Sequence, residues 1–195
     1  NTRLVGSEMC IRDRLERNHN SPCDFGIYTH DALDCSLNIN SIFQNIENLI
    51  FEISKKNKIP ICIGGEHSLT FGVIKGFKKK YDKTNEDFGI IQFDAHADLR
   101  KIYNGSINSH ATVMYKILKE NIPIFQFGVR AQSDEEIKLR DRSNVYHKTI
   151  DDYRKNPNIT LPKKFPKNIY ITFDSDCLDP SIMPATGTPV PNGLY

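Results

Sequence analysis

The segment FDAHADLR (93–100) sets Asp94, His96 and Asp98 at alternate positions directly after an apolar run. Two carboxylates and an imidazole are an unfavourable end to a buried strand unless something neutralises them. Two further segments share this character. GGEHS (64–68) brings His67 after the apolar run ICIGG, and FDSDCLDP (173–180) places Asp174 and Asp176 after NIYIT. In an extended chain residues i and i+2 share a face, so Asp94 and His96 can point the same way. Asp98 would lie about 13 Å from Asp94 along a straight strand, so the chain must bend near His96 if all three converge. Taken singly, each segment has a plainer explanation: a helix-entry loop for His67, a polar surface turn for 93–100, a capped loop for Asp174 and Asp176.

Taken together they say more. If the three strand ends are neighbours, they assemble four carboxylates and two imidazoles. Four carboxylates held close and partly buried need protons or cations. Two divalent ions would neutralise all four. Oxygen-rich ligation with one imidazole per ion suits manganese better than a thiolate-loving metal, while zinc usually takes fewer ligands in a tetrahedron. Two ions about 3.5–4 Å apart can make hydroxide available near neutral pH for attack on carbon or phosphorus. The residues themselves thus reach a binuclear metallohydrolase and leave its substrate open.

The elements that must position these groups are legible as alternating patterns. Ile42, Ile46, Leu49, Ile50 and Ile53 recur at helical spacing and predict a helix over 40–57. IPICIGG (59–65) reads as a buried strand with a tight turn, and 68–81 as a helix with Ser68 near its N-cap. A strand at 88–94, a helix at 109–120 capped by Ser109, a strand at 122–130 and a helix at 133–142 follow. NVYHKT is a weak strand, 151–168 a loop or short helix running into loop, and 168–176 a strong strand; residues 15–38 read as loop. Apolar strands alternating with helices predict an α/β fold with a central parallel sheet flanked by helices in three layers, whose ligand sites gather at the carboxyl ends of strands.

Bulk properties narrow the partners. The 195 residues carry 26 basic and 24 acidic side chains, a net charge of +2. That balance does not point to nucleic acid or an acidic membrane surface as partner. KKNK (55–58) and KGFKKKYDK (75–83) are expected to solvate helix faces and ends. No apolar stretch approaches a membrane span. Five widely spaced cysteines, Cys10, Cys23, Cys35, Cys62 and Cys177, fit reduced thiols in a cytoplasmic setting. Cys177, beside acidic residues, is expected to have a raised pKa. His30 and His147 belong to no motif. SEMCIRDR (7–14) resembles translated sequencing-adapter read-through, so residues 1–14 are expected to be foreign to a single domain over 15–195.

GGEHS, FDAHADLR, SHAT (109–112) and FDSDCLDP…PATGTPVPNGL, in that order, resemble the ureohydrolase family, which includes arginase, agmatinase and formimidoylglutamase. The resemblance spans residues 40–195 and implies an arginase/deacetylase-like sheet and two manganese ions. His67, Asp94, Asp98 and Asp174 would hold one ion. Asp94, His96, Asp174 and Asp176 would hold the other, with Asp94 and Asp174 bridging. It also implies a bridging hydroxide that attacks a guanidinium carbon, with His110 and Asp98 as catalytic groups. His110 would pass a proton to the leaving amine or position substrate. The partner implied is a small guanidino compound, and the family's habit implies a homo-oligomer. Where arginases usually carry Asn, this chain has Arg100, and LRKIYNGSINSHAT looks more like microbial agmatinases; the expected reaction is agmatine to putrescine and urea. An arginase, another guanidino- or formimino-acid hydrolase, and an inactive or metal-stabilised assembly subunit are the alternatives. A related zinc deacetylase would use one metal, leaving His67 and Asp98 unexplained, and the GNH element of metallophosphoesterases is absent. Residues 1–38 lack the family's first strand and glycine-rich loop. A later glutamate that binds the guanidinium lies beyond the stretch that matches, so a fragment of an enzyme, truncated at the C-terminus, is expected.

Overall fold

Among the described residues Asn38 opens the first helix, its side chain accepting a hydrogen bond from the Ser41 amide at 3.1 Å. This helix, α1 (Ile39–Ser54), buries Phe43, Ile46 and Ile50 along one stripe. The computed structural model describes residues 26–195, so the expectations for residues 1–14, and for the loop as far as residue 25, lie outside the described residues. Residues 26–38 form no helix or strand.

Helix α2 (Leu69–Thr84) lies against α1. Gly72 and Gly76, one turn apart, meet the α1 backbone. A Cβ on Gly76 would sit 2.7 Å from both the Glu47 carbonyl and the Ile50 Cβ. Ser68 does not cap α2 with its side chain. Its amide and hydroxyl both donate to the Glu66 carboxylate instead.

The sheet contains β1 (Phe88–Phe93), β2 (Ile124–Phe127), β3 (Val145–Lys148) and β4 (Asn168–Phe173), in the order β3-β2-β1-β4. All three pairings are parallel. Short helices α3 (Val113–Leu118), α4 (Asp134–Arg140) and α5 (Ile150–Lys155) occupy the crossovers, with a 3-10 turn at His110–Thr112 leading into α3. Ser109 caps that turn as expected, accepting from the Ala111 amide. Ile74, Ile90, Ile124, Val113, Met114 and Ile117 fill one face of the sheet, while Phe125, Phe127, Ile150, Phe165 and Cys177 fill the other.

One expected strand is absent. Residues 59–65 make no ladder, and Ile59, Ile61 and Ile63 are 80–89% exposed. The apolar run has strand composition, but among the described residues no neighbouring strand accepts its hydrogen bonds, and composition alone does not hold a strand. The expectation that strands are apolar and covered on both faces also fails at β4. Ile169, Ile171 and Phe173 on one of its faces are exposed, and its outer edge is unpaired among the described residues.

Gly76→Ala is expected to destabilise the protein by about 1–3 kcal/mol, because the methyl group meets a backbone oxygen that cannot move without separating the helices. Urea denaturation checks this; an unchanged midpoint would show that α1 and α2 are not in register at Gly76.

Candidate metal centre

Parallel pairing puts β1 and β4 level, with Phe93 opposite Phe173. The next residues, Asp94 and Asp174, therefore leave the sheet side by side. The Asp174 amide donates to the Phe93 carbonyl at 2.8 Å, and the Asp94 amide to the Phe127 carbonyl at 3.2 Å.

Beyond Asp94 the chain bends as the spacing requires. The Ala95 carbonyl accepts from the Arg130 and Ala131 amides, both at 2.9 Å. Asp98 then takes a left-handed conformation at φ 53°, which Asp tolerates better than most residues. Its carbonyl receives the Met114 and Tyr115 amides at the start of α3, satisfying donors that a helix N-terminus leaves open. Buried Glu136 accepts from the next amide, that of Leu99, at 3.1 Å. The bend returns the Asp98 carboxylate toward Asp94.

The ligand atoms of His67, Asp94 and Asp98 lie within 4.8 Å of one another, as do those of Asp94, His96 and Asp176. Asp94 belongs to both trios. His67 Nδ1 faces Asp98 Oδ2 at 2.8 Å, Asp94 Oδ2 at 3.2 Å and Asp174 Oδ2 at 3.7 Å. His96 Nδ1 lies 2.9 Å from Asp176 Oδ2 and 3.6 Å from Asp94 Oδ1. Asp174 stands at the rim, more exposed than the other carboxylates, with Oδ1 accepting from the Asp176 amide at 3.1 Å. The structure thus brings together all six residues singled out in the sequence, five of them in two trios and Asp174 beside them.

The electrostatics ask for cations. Among the described residues no Lys or Arg pairs with any of the four carboxylates; the two imidazoles are their only basic partners. His67 Nε2 is 3.0 Å from Thr172 Oγ1, yet buried Nδ1 has no aligned hydrogen bond although three carboxylate oxygens surround it. One proton cannot serve three acceptors, whereas a cation among them can. Burial disfavours charge on the His67 ring, but Asp94 and Asp98 hold its pKa well above the ordinary value. Asp176, then Asp94, push His96 up to about 10. Burial, then the charge of Asp94, push Asp98 up to about 7, and burial also raises Asp174. Burial would raise Asp94 too, but His67 and His96 bring it below the usual carboxylate range. Protons thus occupy, in part, positions that fit two divalent cations.

Several supporting residues escaped the sequence reading. Gln92 and Gln126 are fully buried and opposite each other in β1 and β2. Gln126 Nε2 donates to Gln92 Oε1 and the Ala97 carbonyl, both at 2.7 Å; Gln92 Nε2 donates to Asp94 Oδ2 at 2.8 Å. The signal was present as one polar residue inside each of two apolar strands. Glu66 accepts the His110 amide at 2.6 Å and lies 3.3 Å from its Nδ1. This ties the SHAT loop to the residue before His67, and the Tyr103 ring packs edge-on against His110. Cys177 is buried and pushed up to about 12, the direction expected, but chiefly by burial, with the acidic neighbours a smaller cause.

The model of the arginase family matches residues 6–195, and the chain belongs to that family. An N(1)-aminopropylagmatine ureohydrolase from Synechocystis is 32% identical over 187 residues, covering 89% of this chain and 59% of that protein. An agmatinase from Pyrococcus horikoshii is 35% identical, covering 70% and 45%. The crystal structure of an agmatine ureohydrolase of Thermoplasma volcanium superimposes with a TM-score of 0.73 at 31% identity, covering 84% of this chain and 55% of that one. The chain spans about half the length of the curated relatives it matches.

Asp94→Asn is expected to lose manganese from both trios, whereas Asp98→Asn, which also tolerates the left-handed backbone, loses it only from the trio with His67. Metal analysis after gel filtration reads this; two ions retained by Asp94→Asn would contradict its shared role. A cation must also displace the protons on His67, His96 and Asp98. The raised pKa values keep both imidazoles protonated at neutral pH and Asp98 protonated in part. Manganese affinity is therefore expected to rise with pH between about 6 and 9, most steeply below about 7, where the Asp98 proton is displaced as well. Calorimetry in buffers of different ionisation heat measures the released protons, and an affinity independent of pH would refute the linkage.

Proposed function

We propose that the protein to which this chain belongs hydrolyses a guanidino C–N bond, converting agmatine to putrescine and urea with two manganese ions. The observation that carries the reading is the sharing of Asp94 by two ligand trios, one closed by His67 and Asp98, the other by His96 and Asp176. A single-metal deacetylase has no use for the trio with His67. Hard carboxylate oxygens with one imidazole per trio favour manganese over zinc. When bound, such a pair of ions acidifies water enough to supply hydroxide near neutral pH.

The protein's own residues do the remaining work. His67, Asp94, His96, Asp98, Asp174 and Asp176 hold the cations, and Asp98 has a second carboxylate oxygen able to accept a hydrogen bond from the attacking water. The water oxygen bonds to the guanidinium carbon, and the bond from that carbon to the alkyl nitrogen breaks. The released amine takes up a proton, leaving urea and an alkylamine. His110 is half exposed on the loop that Glu66 ties beside His67, which supports its assignment as the carrier of that proton. An imidazole suits the task near neutral pH.

Agmatine is favoured over arginine by the loop after Asp98. The Arg100 guanidinium packs over the Tyr103 ring at 5.4 Å and approaches Glu136 at 3.8 Å, so it is engaged within the protein. The relatives named agmatinase and aminopropylagmatine ureohydrolase support a guanidine without an α-carboxylate.

Urea release by the full-length, manganese-loaded protein tests this. Agmatine is expected to exceed arginine in kcat/KM by roughly 100-fold or more, because an α-carboxylate would be desolvated without a partner. Equal rates would move the assignment to arginase, and urea from neither, with both ions bound, would reject it.

A further inference from the structure

Arg130 follows β2 and has no carboxylate partner among the described ion pairs, although four carboxylates gather nearby. Its guanidinium donates only to main-chain carbonyls. Nη2 reaches Asp176 at 2.7 Å, Val190 at 2.7 Å and Leu178 at 3.4 Å; Nη1 reaches Gly128 at 3.1 Å and Cys177 at 3.3 Å; Nε reaches Pro191 at 2.9 Å. Three of these carbonyls, those of Asp176, Cys177 and Leu178, come from the end of the 3-10 turn Ser175–Cys177. Such an end leaves acceptors without partners.

The backbone of Arg130 closes a circuit. Its amide donates to the Ala95 carbonyl at 2.9 Å. Ala95 lies between Asp94 and His96, and its own amide donates to Asp176 Oδ1 at 3.0 Å. Arg130 therefore grips the main chain on both sides of the trio Asp94, His96 and Asp176. By holding Val190 and Pro191 it also fixes the segment from which Thr188 Oγ1 donates to Asp176 Oδ2 at 3.0 Å.

We infer that Arg130 is a positioning residue for the cation site formed by Asp94, His96 and Asp176, and does not serve the site of His67, Asp94 and Asp98. The inference rests on the reading of these trios as cation sites. A planar fork with five N–H groups reaches carbonyls in several directions at once. A lysine ammonium keeps the charge but has three donors at one point, so charge alone does not replace it.

Manganese titration of the full-length protein, followed by calorimetry and by the paramagnetic resonance of the free ion, tests the inference. In an Asp98→Asn background only the site of Asp94, His96 and Asp176 is whole. Adding Arg130→Lys there is expected to weaken affinity by roughly 10–100-fold, the usual loss when a residue supporting a ligand is changed. In an Asp176→Asn background the same change is expected to cost clearly less than in the first, because the remaining site has only Asp94 in common with the one that Arg130 supports. No loss in the first background, or equal losses in both, overturns the inference. Should Arg130→Lys fail to fold, Thr188→Val decides: weaker binding confined to the site with Asp176 supports the inference, and unchanged binding overturns it. A wild-type protein that takes up no manganese overturns the cation reading itself, a result separate from the Arg130→Lys comparison.

Discussion

The level pairing of β1 with β4 is the constraint on which the centre depends. Phe93 opposite Phe173 sets Asp94 and Asp174 in line at one edge of the sheet, about 4.8 Å apart as neighbouring strands are. A slip of one residue would turn the side chains of β4 to the other face of the sheet. Asp174 and Asp176 would then face away from His67 and His96. On its inner face β4 is held by buried Thr172 and by Tyr170 packed against the core, while its other face is exposed; the two glutamines of β1 and β2 lock the adjoining pair from within.

Around that pairing, charge and backbone strain are distributed unevenly. The carboxylates repel one another and, among the described residues, are opposed by two rings, so burial and the charge of Asp94 push Asp98 and Asp174 up. The left-handed Asp98 is held by α3, through its first amides, and by Glu136 on the next residue. Such strain persists where the surroundings determine the conformation. The carbonyls that Arg130 collects are the complementary case: main-chain acceptors of Gly128, Asp176, Leu178, Val190 and Pro191, with that of Cys177 shared with the Leu194 amide, gathered by one multidentate donor.

Much of this was legible in the residues. D-x-H-x-D and D-x-D after apolar runs announced a cluster of carboxylates and imidazoles at strand ends, and the impossible reach from Asp94 to Asp98 along a straight strand announced the bend. The helix over 40–57 and the strands over 88–94 and 168–176 were plain because periodicity and apolar composition agreed. Residues 59–65 misled because a strand is a property of two chains, and the run IPICIGG says nothing about its neighbour. Ser68 misled for a related reason: its hydroxyl had a competing acceptor in Glu66, two residues earlier. Gln92 and Gln126 left a faint trace as lone polar residues in apolar strands, whereas Arg130 was silent because its partners lie far along the chain, which spacing does not encode.

The open side of β4 bears on how the chain behaves as a material. Among the described residues its outer edge is unpaired, and Ile169, Ile171 and Phe173 stand exposed beside it. An uncovered edge of this kind templates pairing with other chains. Since β4 also carries Asp174 at its end, any foreign strand that docks and twists it distorts the centre as well. Turbidity and loss of ion-holding capacity are thus two faces of one event, and a concentrated stock ages differently from a dilute one.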